Sequence, residues 1–169
     1  LIDDLLEASK ASTGNLTVNA EPCDVGVLLD QTLGEYGEKL SAAGLEPVLT
    51  KPEKPVIIMA DGRHMWRIFD NLLNNICKYS QRGTRVYLEV CERDGKAVVT
   101  FRNISSRQLN ISSDELMERF VRGDSSRNTE GSGLGLNIAQ SLAQLQKGTM
   151  ELTVDGDLFK VTLTFDVVK

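Results

Sequence analysis

Two amides and a lysine stand along one side of a single expected helix. The stretch 61–80, DGRHMWRIFDNLLNNICKYS, sets Asn71, Asn75 and Lys78 at i, i+4 and i+7, and Arg67 one turn earlier extends the line. Ile68, Phe69, Leu72, Leu73 and Ile76 recur at helical spacing, which predicts an apolar face turned to a core. Asparagine is a poor helix former and costly to bury without a partner. Two of them on one face suit a polar partner held there, whether a ligand, an ion or ordered water; the other reading is a solvated helix face.

A second group lies at Gly131-Ser132-Gly133-Leu134-Gly135-Leu136, where a helix over 132–146 is expected to start. Glycines allow close approach of the backbone to a ligand, and the free N–H groups and dipole of a helix N-terminus attract anions such as phosphate. The turn lacks the Lys-Ser/Thr ending of a Walker A loop and does not follow directly on a strand, so a helix start packed tightly on a sheet is equally open.

These groups need a folded frame. A chain of 169 residues with 41% hydrophobic content suits one domain with a sizeable core. A net charge of -5 argues against nucleic acid as the main partner, since phosphate backbones are bound by clustered Lys and Arg. No apolar run approaches a membrane span and no secretory leader opens the chain, so the expected location is cytoplasmic. Cys23, Cys77 and Cys91 are odd in number and widely spaced, which predicts buried reduced thiols. His64 is the one histidine and offers no dyad that spacing could reveal, so a structural role is expected.

The periodicities predict the elements in order. Residues 1–12 read as the end of a longer helix, and 16–18 as a short strand before Pro22. A helix capped by Asp24 runs over 24–44, weakened by Gly26, Gly34 and Gly37. Strands follow at 45–50 and 56–59, then the amide-striped helix. A hairpin joins 85–91 to 96–102 around Asp94-Gly95, and 113–120 forms a short helix. The stretch 121–131, rich in Gly, Ser and Arg, reads as mobile unless a ligand orders it. Gly148 ends the last helix, and a hairpin around Asp155-Gly156 turns Phe159, Val161, Leu163 and Phe165 inward.

Together, the block from Asn71 to Ser80, the Glu118-Arg119-Phe120 block and the glycine turn at 131–136 resemble, in order and spacing, the ATP-binding domain of sensor histidine kinases. The resemblance covers essentially the whole chain. It implies the α+β fold of the GHKL (Bergerat) superfamily, a two-layer α/β sandwich with a mixed, mostly antiparallel sheet and three helices on one face. It also implies ATP and Mg²⁺ as cofactors, and two segments: 1–13 as the end of a dimerisation helix and 14–169 as the catalytic domain.

Position by position, Asn75 matches the asparagine that binds the Mg²⁺ bridging the phosphates, and Asn71 its companion. Lys78 matches a phosphate-contacting base and Tyr79 the aromatic beside the nucleoside. Phe120 would anchor a lid from which Arg122 and Arg127 reach the γ-phosphate. Gly131, Gly133 and Gly135, with Ser132, Leu134 and Leu136 between and after them, match the phosphate-proximal turn. Mg²⁺ needs few protein oxygens when phosphates supply the rest, which agrees with so sparse a set.

Two positions depart from the family pattern. The strand after the hairpin usually ends in an Asp-x-Gly-x-Gly box whose carboxylate accepts from the adenine amino group. Here it ends Phe101-Arg102-Asn103-Ile104-Ser105, and an amide oxygen can still accept there if the NH₂ points elsewhere. His64 is followed by Met65 rather than an acidic residue, so the phosphoacceptor is expected upstream of residue 1, and the chain is expected to be a fragment. The resemblance further implies three partners: the dimerisation and phosphoacceptor domain of the same kinase, a response regulator, and a second copy in a full-length homodimer. Any membrane attachment would come through upstream segments. The alternatives are another GHKL ATPase, an anti-sigma-type serine kinase, or a noncatalytic interaction module. Against the hydrolases, Asn71 stands where they usually carry a water-activating Glu.

Overall fold

A computed structural model of the chain describes residues 16–107 and 135–168. The helix expected over 1–12, the segment boundary at 13–14, the short helix over 113–120 and the stretch 121–131 lie outside the described residues.

The strongest local signal in the sequence sets the sheet. Asp94 and Gly95 both take positive φ, 53° and 75°, the pairing that a two-residue hairpin turn of matching twist requires. They join β4 (Arg85–Arg93) to β5 (Lys96–Ile104), with Arg93 opposite Lys96. Alternation then buries Val86, Leu88 and Val90 and leaves Arg85 and Tyr87 exposed. A second hairpin at Gly156 joins β6 (Thr149–Asp155) to β7 (Leu158–Asp166), and Phe159, Val161, Leu163 and Phe165 face inward as expected. With β2 (Glu46–Thr50) these strands form a five-stranded sheet in the order β2-β4-β5-β7-β6. Only β2 and β4 run parallel; the other pairs are antiparallel.

The apolar sides of the helices close one core against this sheet. α1 (Val25–Glu35), α3 (Gly62–Tyr79) and α4 (Gly135–Leu145) contribute Leu29, Phe69, Leu72, Ile138 and Leu142 to a single buried cluster with Val99, Phe101 and Leu163. α3 is central, packed on both α1 and α4. The rings of Phe69 and Phe101 lie 5.8 Å apart across the two layers. α4 stops at Leu145 rather than at Gly148, and Lys147 takes the left-handed φ of 66° after it; at Gly148, beside β7, a Cβ would strike the Phe165 ring and come within 2.9 Å of the Thr164 carbonyl oxygen.

Two expected elements differ. The helix expected over 24–44 does start at Asp24, whose side chain accepts from Val27 N at 3.2 Å, but it stops at Glu35. A separate α2 (Gly37–Ala42) follows. Gly34 and Gly37 flank the break and lower helical propensity, and Tyr36 between them turns inward. Its hydroxyl donates to the Asp70 carbonyl at 3.0 Å and to the Asp70 carboxylate. The strand expected at 16–18 is instead β1 (Glu21–Asp24), paired antiparallel with β3 (Ile57–Ala60) in a sheet of its own. Pro22 is tolerated because β1 is an edge. The backbone at 17–19 is satisfied by side chains of α3 and its cap, with Thr17 O bonded to His64 Nε2 at 2.8 Å and Asn19 N donating to Asp61 Oδ2 at 2.9 Å.

The three cysteines are free, as expected, though partly rather than fully buried. Burial pushes the Cys23 and Cys77 thiols up, which keeps them protonated.

Candidate functional site

The rotational setting of α3 decides which side chains reach the site, and its first residues fix that setting. Asp61, the N-cap, is 3% exposed and accepts from Arg63 N at 3.0 Å as well as from Asn19 N. Its own N–H donates to Gln146 Oε1 at 2.7 Å, which ties the start of α3 to the residue just after α4. Burial by itself would raise the Asp61 carboxyl. The two backbone amides, helped by His64 and Arg63 nearby, outweigh that and hold it below the ordinary carboxylate value.

From this start the polar stripe falls where α3 borders α4 and the sheet. Asn71 is 8% exposed, and its Nδ2 is buried with no partner among the described residues. Gly135, the first residue of α4, faces it, and a Cβ built there would lie 3.9 Å from Asn71 Oδ1. Asn75, one turn on, is half-buried and shares a narrow cleft with Asn103 between Leu72, Ile76, Phe101 and Val161, which among the described residues is closed even to a water molecule. Lys78 is exposed. Tyr79 is half-buried against the core, and its carbonyl accepts from Ser106 N at 2.9 Å. Arg67 does not continue the stripe. It pairs with Asp70 at 3.2 Å, beside Tyr36, on the side of α3 that packs on α1. There burial, reinforced by the Asp70 carboxylate, pushes the Tyr36 hydroxyl well above its ordinary value.

Asn103 stands opposite, on β5, and is 4% exposed. Its Nδ2 donates to Ser80 Oγ at 2.8 Å, and its Oδ1 is buried with no partner among the described residues. A buried acceptor left unmade costs about 1–3 kcal/mol, so this oxygen is poised for a donor from outside the described fold. Among the described residues one other buried side-chain nitrogen lacks a partner, Arg102 Nε, next to Asn103 in the strand and beside Tyr87.

The structure thus brings Asn71, Asn75, Asn103 and Gly135 to one edge of the helix layer, with Lys78 and Tyr79 at the end of α3. Leu136 is 1% exposed and packs into the core, so its side chain does not face the cleft. Phe120, Arg122, Arg127, Gly131, Ser132, Gly133 and Leu134 lie outside the described residues. Sequence reasoning gave no role to Ser80 or Gln146. The hydroxyl next to Tyr79 was a possible signal for the first; nothing local marks the second, whose partner lies 85 residues away.

The donor set suits a nucleotide better than a metal held by protein alone. Among the described residues no group of three His, Cys, Asp or Glu could hold an ion, whereas amide oxygens of the Asn75 type share a hard cation with phosphates. No described helix is long and apolar enough to cross a membrane.

Comparison with known proteins bears on the family and the fold. The profile of the family described as histidine kinase-, DNA gyrase B-, and HSP90-like ATPase matches residues 60–169. The signal transduction histidine-protein kinase BaeS of Escherichia coli (strain K12) is 29% identical over 174 residues, covering 94% of this chain and 37% of BaeS. The probable sensor protein PcoS of Escherichia coli is 32% identical, covering 98% of this chain and 36% of PcoS. The chain therefore spans little more than a third of the length of these relatives. Among solved structures, the histidine kinase AdeS of Acinetobacter baumannii superposes with a TM-score of 0.81 at 20% identity, covering 100% of this chain and 78% of that one.

Proposed function

The chain belongs to the histidine kinase-, DNA gyrase B- and HSP90-like ATPase family, and from that premise we propose that it is the catalytic domain of a sensor histidine kinase. On this reading it passes the γ-phosphoryl group of Mg²⁺-ATP to a histidine outside these residues, for relay to a response regulator. The named relatives are sensor kinases, and the fold is that of histidine kinase structures.

The observation that carries the reading is the unpaired Asn103 Oδ1, buried on the wall of the cleft that Asn75 also lines. On this reading the closed cleft opens for the nucleotide, and a purine seated against Asn103 supplies the missing donor from its 6-amino group. Asn75 would hold Mg²⁺, which supplies charge neutralisation between the phosphates. Asn71 stands beside it, Lys78 meets the phosphates, and Tyr79 lies along the nucleoside. The start of α4 at Gly135 offers backbone N–H groups to the phosphates next to Asn71. Phe120 anchors the lid, and Arg122 and Arg127 meet the γ-phosphate. His64 is engaged with Thr17 at the start of α3, which suits a structural role and leaves the acceptor histidine elsewhere. Residues 1–13 belong to the dimerisation helix in this reading, 14–169 form the catalytic domain, and the parent kinase works as a homodimer with this domain on the cytoplasmic side.

Calorimetric titration of the chain with Mg²⁺-ATP tests the proposal. Binding at or below millimolar nucleotide is expected. No heat at that concentration overturns the adenine-site assignment.

A further inference from the structure

An asparagine that reads a purine has a problem an aspartate does not. Its two ends are nearly the same size, but the oxygen accepts from a 6-amino group whereas the nitrogen donates to a 6-oxo group. Asn103 discriminates between the two classes of base only if something fixes which end faces the cleft.

We infer that Ser80 is the positioning residue that does this: by accepting from Asn103 Nδ2 it turns Oδ1 to the nucleotide and sets the preference for a 6-aminopurine. The inference rests on the nucleotide reading above and assigns a specificity role to a residue at the end of α3. The bond from Nδ2 to Ser80 Oγ is 2.8 Å long, while Oδ1 stays buried and unpaired among the described residues. Ser80 is also held in place. It is the C-cap of α3 and forms an isolated bridge with Ser105. On either side Gln81 N donates to Ile104 O at 2.7 Å and Ser106 N donates to Tyr79 O at 2.9 Å. The end of α3 and the end of β5 are thus stitched together by backbone hydrogen bonds, which hold the Ser80 backbone beside Asn103 and its hydroxyl within reach of the amide. A carboxylate at position 103 would offer an acceptor whichever way it turned and would not need the hydroxyl for discrimination.

The test compares dissociation constants for Mg²⁺-ATP and Mg²⁺-ITP, which differ at the 6-position, using the chain as it is. In Ser80→Ala the ATP-over-ITP ratio is expected to fall about three- to tenfold, the worth of one hydrogen bond. Ser80→Thr, which keeps the hydroxyl, retains the ratio, and Ser80→Cys, with its weak acceptor, loses it as the alanine does; the cysteine also serves if the alanine fails to fold. In an Asn103→Asp background Ser80→Ala leaves the ratio unchanged. A Ser80→Ala protein that keeps the wild-type ratio, or that weakens both nucleotides equally, overturns the inference while leaving the nucleotide site standing. An Asn103→Ala protein with undiminished Mg²⁺-ATP affinity removes Asn103 as the base reader and this inference with it, whereas a wild-type chain that binds neither nucleotide removes the nucleotide reading itself.

Discussion

Gln146 Oε1 accepts the backbone N–H of Asp61 at 2.7 Å, joining the end of α4 to the start of α3 across 85 residues of sequence. Gln146 is itself buried and spends its Nε2 on Leu142 O at 3.2 Å, so the amide is held from both ends. Because Asn71 faces the start of α4, this joint also sets the far end of the cleft. Replacing Gln146 by Ala leaves the Asp61 N–H buried without its acceptor, and a loss of about 1–3 kcal/mol is expected in urea unfolding. A change below about 0.5 kcal/mol would show that water or a shifted side chain takes over the bond.

Asp61 makes the fold sensitive to acid in a defined direction. Its folded-state carboxyl lies below the ordinary value of 3.8, so its contribution is fully present above that value. The contribution is lost as pH falls through the lower, folded-state value, when the acceptors of the Asn19 and Arg63 amides become protonated. Asp61→Asn should therefore be less stable than wild type at neutral pH, with the gap closing below about pH 3.8. Urea midpoints at pH 7 and at pH 3 measure this; a gap that is constant across that range would show that Asp61 acts through shape alone.

Much of the frame was legible because its signals are local. The 3.6-residue spacing of Ile68, Phe69, Leu72, Leu73 and Ile76 returns as the buried side of α3, and Asp94-Gly95 as the turn between β4 and β5. What failed depended on partners far along the chain. The break at Tyr36 is completed by Asp70, 34 residues on. Arg67 has the spacing of the polar stripe, yet the ion pair with Asp70 draws it to the α1 side, which spacing cannot distinguish. Residues 16–18 have strand-like alternation, but His64 and Asp61 take up the neighbouring backbone groups, and the ladder begins only at Glu21. At the site, the residue type at 103 was readable, whereas the partner of its amide was not, since Nδ2 donates to Ser80 at the end of a different element, 23 residues away.

The Tyr36 hydroxyl gives the alkaline counterpart to Asp61. Its folded-state value is raised by burial and by Asp70, so its contribution is complete below the ordinary value of 10.0 and is lost as pH rises above it. Tyr36→Phe leaves the Asp70 carboxylate and carbonyl without this donor, and a loss of about 1–3 kcal/mol is expected at neutral pH. The stability of wild type should then fall toward that of the variant as pH rises beyond 10.0. Parallel wild-type and variant curves from pH 8 to 11 would show that the hydroxyl does not titrate with unfolding.

On the proposed reading, Asn75 separates metal binding from base reading within one cleft. It lines the same walls as Asn103 but sits on the helix rather than the sheet, one turn beyond Asn71 and the glycine at the start of α4. If its amide oxygen is a ligand of Mg²⁺, Asn75→Ala removes one protein oxygen from an ion that otherwise depends on phosphates and water. The variant should then bind ATP in the presence of Mg²⁺ about tenfold or more weakly than wild type, the cost of a lost ligand or charge-assisted contact. In chelator, where no ion is present in either protein, the two should bind ATP within about twofold of each other, because the contact of Asn103 with the base is untouched. Asn75 is half-buried and carries no core volume, so unfolding without nucleotide should change by less than about 1 kcal/mol, which excludes loss of fold as the cause. Calorimetric titrations with and without Mg²⁺ decide the matter: equal weakening in both conditions would place Asn75 against the nucleotide itself, and no weakening in either would remove it from the site.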